Sequence, residues 1–386
     1  ALLKLIRKEA PDLNPFSSLQ LGELLSSRGI IVPLTEKGND SVGNDFLASL
    51  DDPLAGNIGV YRKSERLRSA FIKDVIIDGS YKGKLHPSYF STRGSSFMSG
   101  GDEGGTRSGR LSSNNPNIQQ IPSRHPTLGP LIRSMFIPED GQQWCKLDWS
   151  QQEPRIALHY ACLLGLPGAQ EMRQAYIDDP TIDYHTLVMD MVNKIRTIPI
   201  NRREAKDINL GLNYGMGRKK MSDKLGLSLG DSDRIISSFH SAITWMKALQ
   251  NKAMSSATDR GFVKTILGRR RRFTEYEPTY YKKGNFPVNG YENAVDKYGT
   301  NVRRSGIHRA LNSVVQGSAA ESMKMAMVMM HKEGMKILLS VHDEVGLSIT
   351  STDEAKKAKE IMETCIKFEV PQYVNPTIGK SWGDTK

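Results

Sequence analysis

Cysteine is scarce in this 386-residue chain: only Cys145, Cys162 and Cys365, with no CxxC pair among them. An odd count without metal-ligand spacing argues against a disulfide framework or a cysteine zinc site, and for reduced core thiols in a reducing compartment. No apolar run approaches the roughly 20 residues of a transmembrane helix, and no signal-peptide pattern is present. Internal repeats and long low-complexity tracts are also missing, which sets solenoids and disordered tails aside. Acidic residues are in deficit, 42 against 53 Lys+Arg, giving +11 and a pI near 9.4. That surplus favours a polyanionic partner, most commonly nucleic acid; a generically basic soluble enzyme is the plainer alternative. The chain opens on Ala1 rather than methionine, so a fragment or processed chain is expected.

What is present is ordinary globular material, 38% hydrophobic and 25% charged, long enough for two or three subdomains. Helical apolar spacing covers 2–10, 18–27 and about 53–72, with short strand-like pieces near 75–77 and 86–90. A Gly/Ser-rich loop follows over 91–109. Gln143 to Asp148 reads as a buried strand ending in a carboxylate. The next helix can hold Pro154 only in its first turn. From about 181 to 258 the pattern is mostly helical, with Asn201 and Glu204 spaced as a capping pair. Residues 261–273 turn toward strand and carry four consecutive arginines, Arg269 to Arg272. The polar stretch 274–300 reads as an extended loop or an insertion. A helix over about 305–332 then leads to a hairpin, 335–341 and 345–350, with His342, Asp343 and Glu344 at its tip. The fold class expected is α+β.

Three constellations carry chemistry. Asp148 ends one apolar strand and Asp343 sits on an apolar hairpin, so both carboxylates can converge on one sheet edge. Two such groups suit Mg²⁺, which takes one or two carboxylates plus substrate phosphates; an aspartate at a turn is also a common turn-former. Arg202, Lys206, Leu210 and Tyr214 recur every four residues along one helix face. Two cations, an apolar residue and a ring could grip a triphosphate and stack on a base, although a solvated charged face has the same spacing. Finally, Arg110 with the Asn/Gln-rich segment 115–120, Asn117 included, offers donors to phosphates and minor-groove acceptors.

Taken in order, these segments resemble family A DNA polymerases, the DNA polymerase I group. Asp148-Trp-Ser-Gln-Gln-Glu-Pro-Arg155 resembles the first palm motif, Arg202 to Gly215 the fingers helix, and Val341-His-Asp-Glu344 the second palm motif. Ser108–Pro122, Asp183-Tyr-His185, Leu267-Gly-Arg-Arg270, Asn312 to Gly317 and the Trp382 region extend the likeness over nearly the whole chain. The resemblance implies a right-hand fold: thumb at 1–72, palm at 73–162 and 303–386, fingers at 163–302. It implies DNA-templated addition of dNTPs to a primer 3′ end with pyrophosphate release. Two Mg²⁺ ions, replaceable by Mn²⁺, would be held by Asp148, Asp343 and the Trp149 carbonyl, with Glu344 close by. Arg202 and Lys206 would contact the triphosphate, Lys206 as proton donor to pyrophosphate. Gln151 and His185 would assist at phosphates or sugar, Glu153 would block a 2′-hydroxyl, and Tyr214 would stack near the templating position. Arg110, Asn117, Asn312, Gln316 and His342 would touch primer–template DNA. A monomer working in the cytoplasm of a bacterial or phage-infected cell, or of organellar origin, is implied as well.

The sequence departs from the family pattern at Leu210, where an aromatic residue is usual, and at Pro154, where leucine is usual. No Asp-x-Glu exonuclease site is in view, so proofreading is not expected. Glu153 argues against a single-subunit RNA polymerase, and both aspartates argue against an inactive binding relative.

Overall fold

The computed structural model describes residues 2–92, 104–123, 125, 128–194, 199–213, 216–280 and 284–385. The chain divides into two compact units, Ala1–Ser88 with Asn114–Arg133, and Tyr89–Ser113 with Ser134–Lys386.

The first unit is mainly helical: α1 (Leu2–Glu9), α2 (Ser18–Ser27), α3 (Asn44–Ser49), α4 (Pro53–Leu67) and, in its second segment, α5 (Leu128–Arg133). Ile6, Leu21, Leu25, Leu47, Leu54 and Ile58 form its core. Asp52 caps α4 by accepting from the Ala55 amide at 2.9 Å, and Pro53 stands at the first helical position, where its missing N–H costs nothing. The helical path continues through a π-helical stretch, Arg68–Ile77, closed by Asp78 N–H donating to Lys73 carbonyl at 2.8 Å. The strand expected at 75–77 therefore does not form: a three-residue apolar run has no period of its own, and the preceding helix carries it along. A small hairpin follows, β1 (Ser80–Tyr81) and β2 (Lys84–Leu85). Two short strands, β3 (Ser88–Phe90) and β4 (Ser112–Asn114), lie where the chain passes between units.

The second unit is built on an antiparallel four-stranded sheet in the order β11-β12-β5-β13: β5 (Gln143–Trp149), β11 (Lys336–Val341), β12 (Glu344–Ile349) and β13 (Val374–Gly379). Side chains alternate across it. One face presents Cys145, Leu147, Trp149, Val345, Leu347 and Val374 to the helices α14 (Ala310–Lys332) and α15 (Thr352–Thr364), where Met323, Met330, Ala358 and Ile361 complete a core. Trp144, Lys146, Asp148, Glu344, Gly346 and Ser348 take the other face by register. Alternation thus separates a dry face from a charged one.

A helical layer packs around its own core, from α6 (Gln152–Leu163), α7 (Ala169–Asp178), α8 (Tyr184–Asn193), α9 (Arg202–Asn213), α10 (Arg218–Leu225), α11 (Leu229–Ala242) and α12 (Thr244–Arg260). Pro154 lies in the first turn of α6, as its chemistry demands. Asn201 and Glu204 form the reciprocal cap, side chain to backbone in both directions, at 3.0 and 2.8 Å. Beyond α12 come the hairpin β6 (Phe262–Lys264) and β7 (Arg270–Arg272), then an insert that is folded rather than an extended loop. That insert is a three-stranded sheet, β8 (Glu275–Pro278), β9 (Val288–Asn289) and β10 (Val302–Arg304), with α13 (Tyr291–Tyr298) packed on it. Tyr276 holds it together, edge-on to Tyr291 at 5.4 Å and under the Arg304 guanidinium at 5.0 Å.

Candidate active site

Asp148, next to last in β5, pairs with Glu344 on one side and Asn375 on the other. Val341 pairs with Glu344, so His342 and Asp343 alone make the turn between β11 and β12, and Glu344 belongs to the strand rather than to the tip. His342 takes a left-handed φ of +57°, an uncommon conformation for a residue with a side chain. The ladder therefore delivers Asp148 and the Asp343 turn to the same end of the sheet.

Asp148 is half-buried, and its Oδ1 is buried without a hydrogen-bond partner. Burial first, then the carboxylates of Asp343 and Glu344, push its pKa up to about 7, against the opposing pull of Lys146 and Lys206. An orphaned, crowded carboxylate oxygen suits a hard divalent cation with oxygen preference. Among the described residues no three His, Cys, Asp or Glu side chains converge as a ready metal-ligand set. Two carboxylates plus substrate oxygens is the donor set that fits. Trp149 buries its indole among the core residues and ends β5, which leaves its carbonyl at the strand terminus.

The α9 face is as the spacing required: Ala205, Ile208, Asn209 and Leu212 are buried, Arg202 and Lys206 exposed, Leu210 half-buried. Asn209 reaches across to α8, its amide nitrogen 3.1 Å from His185 Nδ1. Burial depresses the His185 pKa to about 4; Lys206 and Arg202 add to this and Asp183 opposes it, so the ring is neutral at neutral pH. Arg202 Nε donates to Asp183, which also accepts from Thr186 Oγ1 at 2.7 Å. Gln151 has a left-handed φ of +55°, and its amide spans to the next segment, accepting from Tyr184 N–H at 2.5 Å and donating to Ile182 carbonyl at 3.2 Å. Tyr214 lies outside the described residues.

In the first turn of α6, Glu153 accepts from Arg110 at 2.6 Å, joining two residues that the sequence assigned separately to sugar and to DNA. Arg155, from the same motif, is fully buried. It donates to the carbonyls of Ser150, Pro180 and Pro371 and lies over the Tyr176 ring at 4.2 Å. Its work is to hold α6 in place.

A cavity of about 730 Å³ in the same unit is lined by Arg107, Arg309 and the run Arg269 to Arg272, together with Asn312 and Gln316 from α14. Glu275 is its one carboxylate among the described lining residues. Burial, then Arg107, Arg269 and Arg309, lower the Arg271 pKa against Glu275, as in a groove short of anions. Asn312 Oδ1 is buried without a partner. The β6–β7 turn is fastened to α14: Glu321 accepts from Thr265 Oγ1 at 2.6 Å and Leu267 N–H at 3.0 Å. Gly317 permits that approach, since a Cβ there would come within 2.4 Å of Thr265. Asn117 belongs to the other unit, where its side chain accepts from Gln119 N–H at 3.1 Å.

Sequence reasoning missed Lys146 and Asp183 as electrostatic neighbours, and Arg107, Arg271 and Arg309 as groove walls. The run of arginines was a visible signal for the last group; the others are side-chain pairings that no local pattern encodes.

The model of DNA polymerase family A matches residues 2–384. The chain belongs to that family. It is 33% identical to a DNA-directed DNA polymerase of Pseudomonas phage M6, over 92% of this chain and 55% of that protein. It is 31% identical to the thermostable DNA polymerase I of Thermus aquaticus, over 91% of this chain and 39% of that one. The chain thus spans about half the length, or less, of these curated relatives. Among solved structures it is similar to the POL domain of Pol1 from M. smegmatis in complex with DNA primer-template and dNTP. The TM-score is 0.73 at 23% identity, covering all of this chain and 65% of that one. The fold is the α+β fold of a family A polymerase domain. No described helix is long and apolar enough to cross a membrane.

Proposed function

We propose that this chain is the polymerising part of a DNA-templated DNA polymerase, adding dNTPs to a primer 3′ end and releasing pyrophosphate. The observation that carries the reading is the buried, unpartnered Asp148 oxygen set against Asp343 at one end of the sheet. Family membership, the M6 phage relative's name and the arginine-lined groove support it.

Family A polymerases depend on divalent metal. The finer reading is two Mg²⁺ ions, with Mn²⁺ able to substitute, held by Asp148, Asp343 and the Trp149 carbonyl. Such ions lower the pKa of an attacking hydroxyl and stabilise a departing oxygen. Lys206 supplies positive charge and a proton to the leaving pyrophosphate; Arg202 and the neutral His185 hold its phosphates. Arg202 exchanges Asp183 for the triphosphate. Glu153, fixed by Arg110, stands against a ribose 2′-hydroxyl, with Gln151 holding the α8 entry in register beside it. Leu210 faces the sugar and Tyr214 the templating base. Arg110, Asn117, Asn312, Gln316 and His342 contact primer–template DNA, and the arginines of the groove hold its phosphates. The assignment of 1–72 as thumb, 73–162 and 303–386 as palm and 163–302 as fingers belongs to the same proposal, as do a monomeric state and a bacterial or phage-infected cytoplasm.

Primer extension with dNTPs, then NTPs, each with and without Mg²⁺, tests the reading. Template-dependent, Mg²⁺-dependent extension with dNTPs alone is expected. Equal use of NTPs would make the chain an RNA polymerase, and extension without metal would remove the aspartates' role.

A further inference from the structure

The charged face of the sheet carries more than the two aspartates, and two of its other charged side chains reach one segment. Glu344 lies opposite Asp148 on the neighbouring strand, and Lys146 lies two residues before Asp148 on the same strand, hence on the same face. Both reach the C-terminal segment. Lys146 Nζ donates to the Thr385 carbonyl at 2.9 Å. Glu344 Oε1 accepts from the indole N–H of Trp382.

Trp382 is held firmly enough to act as an anchor. It is buried, its ring lies nearly parallel to Trp144 at 6.1 Å, and Phe136 meets it edge-on at 5.4 Å. Its backbone N–H donates to Phe136 carbonyl at 2.9 Å, and its carbonyl accepts from Thr385 Oγ1 at 2.8 Å. Gly346 makes room for the stack, since a Cβ there would come within 2.8 Å of the Trp144 ring. A buried indole N–H directed at a carboxylate fixes that carboxylate's orientation at little entropic cost, because the ring has nowhere else to go.

We infer that Trp382 is a positioning residue: its indole N–H tethers Glu344 to the C-terminal segment, so that Asp148 and Asp343 alone supply carboxylates to the cation site. The inference rests on the metal site proposed above. Released from the tether, Glu344 stands directly across the ladder from Asp148 and becomes a third carboxylate for the cation. Added ligand charge tightens divalent binding, and such tightening hinders the loss of a cation that must leave with product.

The test is direct Mn²⁺ binding to the whole chain, without DNA or nucleotide, read as free Mn²⁺ by electron paramagnetic resonance. Thermal unfolding of each variant serves as the check on folding. Asp148→Asn locates the site and should weaken binding at least about tenfold, the loss of one of two charged ligands. Glu344→Gln, which keeps an acceptor for Trp382, should leave Mn²⁺ affinity within about twofold. Trp382→Phe, which keeps the ring and removes the N–H, should tighten binding about fivefold, and Trp382→Phe/Glu344→Gln should return it to the parental value. A tenfold loss in Glu344→Gln would make Glu344 a ligand already and overturn the tether. So would a folded Trp382→Phe with unchanged affinity, or a double variant that stays tight. Should Trp382→Phe fail to fold, Glu344→Gln decides alone. An unaltered Asp148→Asn would instead bring down the metal site, and the tether with it.

Discussion

Asp148 and Lys206 stand on different ground within one unit. Asp148 is set by a β-ladder, half-buried with an unpartnered Oδ1, and pressed by like charges. Lys206 and Arg202 stand exposed on a helix, on long stems, with Arg202 resting on Asp183. At the sheet end like charges crowd Asp148, which a bound cation would relieve. The helix face can change partners, because exposed ion pairs are worth little and re-form readily. The proposed centre would join an anionic floor set by the sheet to an exposed cationic helix face, and each can be broken separately.

The floor should be least tolerant. Asp148→Ala or Asp343→Ala is expected to abolish nucleotide addition in single-turnover primer extension while primer–template affinity stays near parental, since phosphate contacts dominate that affinity. Near-parental extension by either would end the two-metal assignment. For the wall, Lys206→Ala should lower kcat roughly 10²–10³-fold, the range for removing one transition-state charge. An unchanged kcat with weaker DNA binding would make Lys206 a surface charge.

Leu210 tests where the wall meets the sugar. A tyrosine hydroxyl here would offer a contact in place of a missing 3′-hydroxyl. Leu210→Tyr should accordingly narrow the dNTP over ddNTP preference about tenfold, roughly 1.4 kcal/mol, in competitive single-nucleotide incorporation. Equal ratios would mean that Leu210 faces elsewhere. A smaller effect, about two- to threefold, is expected for Asp183→Asn, which frees Arg202 and should lower KM for dNTP with kcat little changed. A raised KM would show instead that Asp183 orients Arg202 for the phosphates.

The mildest effect concerns stability. The Asp148 pKa is raised in the fold, so its contribution is fully present below the unfolded carboxylate value near 4 and is lost as pH rises through about 7. In EDTA, Asp148→Asn should therefore raise Tm by a few degrees at pH 8 and by less at pH 5.5. A lower Tm at pH 8 would mean that the metal-free carboxylate is satisfied by contacts the static structure does not contain.

Much of this was legible in the sequence where a signal is local. Asn201 and Glu204 form the expected cap, Pro154 takes the first helical turn, and the strand expected over Gln143–Asp148 forms and runs one residue further, to Trp149. The face of α9 follows from period alone. The insert at 274–304 escaped because its strands run only two to four residues and its composition is polar; a ladder and a Tyr276-centred cluster hold it instead. Three apolar residues at 75–77 cannot distinguish a strand from a helix end, and the fold makes them the latter.

By itself the sequence determined the helix and strand grammar, the ordered motifs that mark family A, and which residue types could bear charge at the site. Only the tertiary structure decided that Asp148 Oδ1 would be buried without a partner in the field of Asp343, that Arg202 would rest on Asp183, that Arg110 would hold Glu153, and that Trp382 would bind Glu344. The reason is physical. Periodicity and capping are written in neighbours along the chain, whereas the field at a carboxylate sums over whatever the fold brings close, 38 residues away for Trp382 and Glu344.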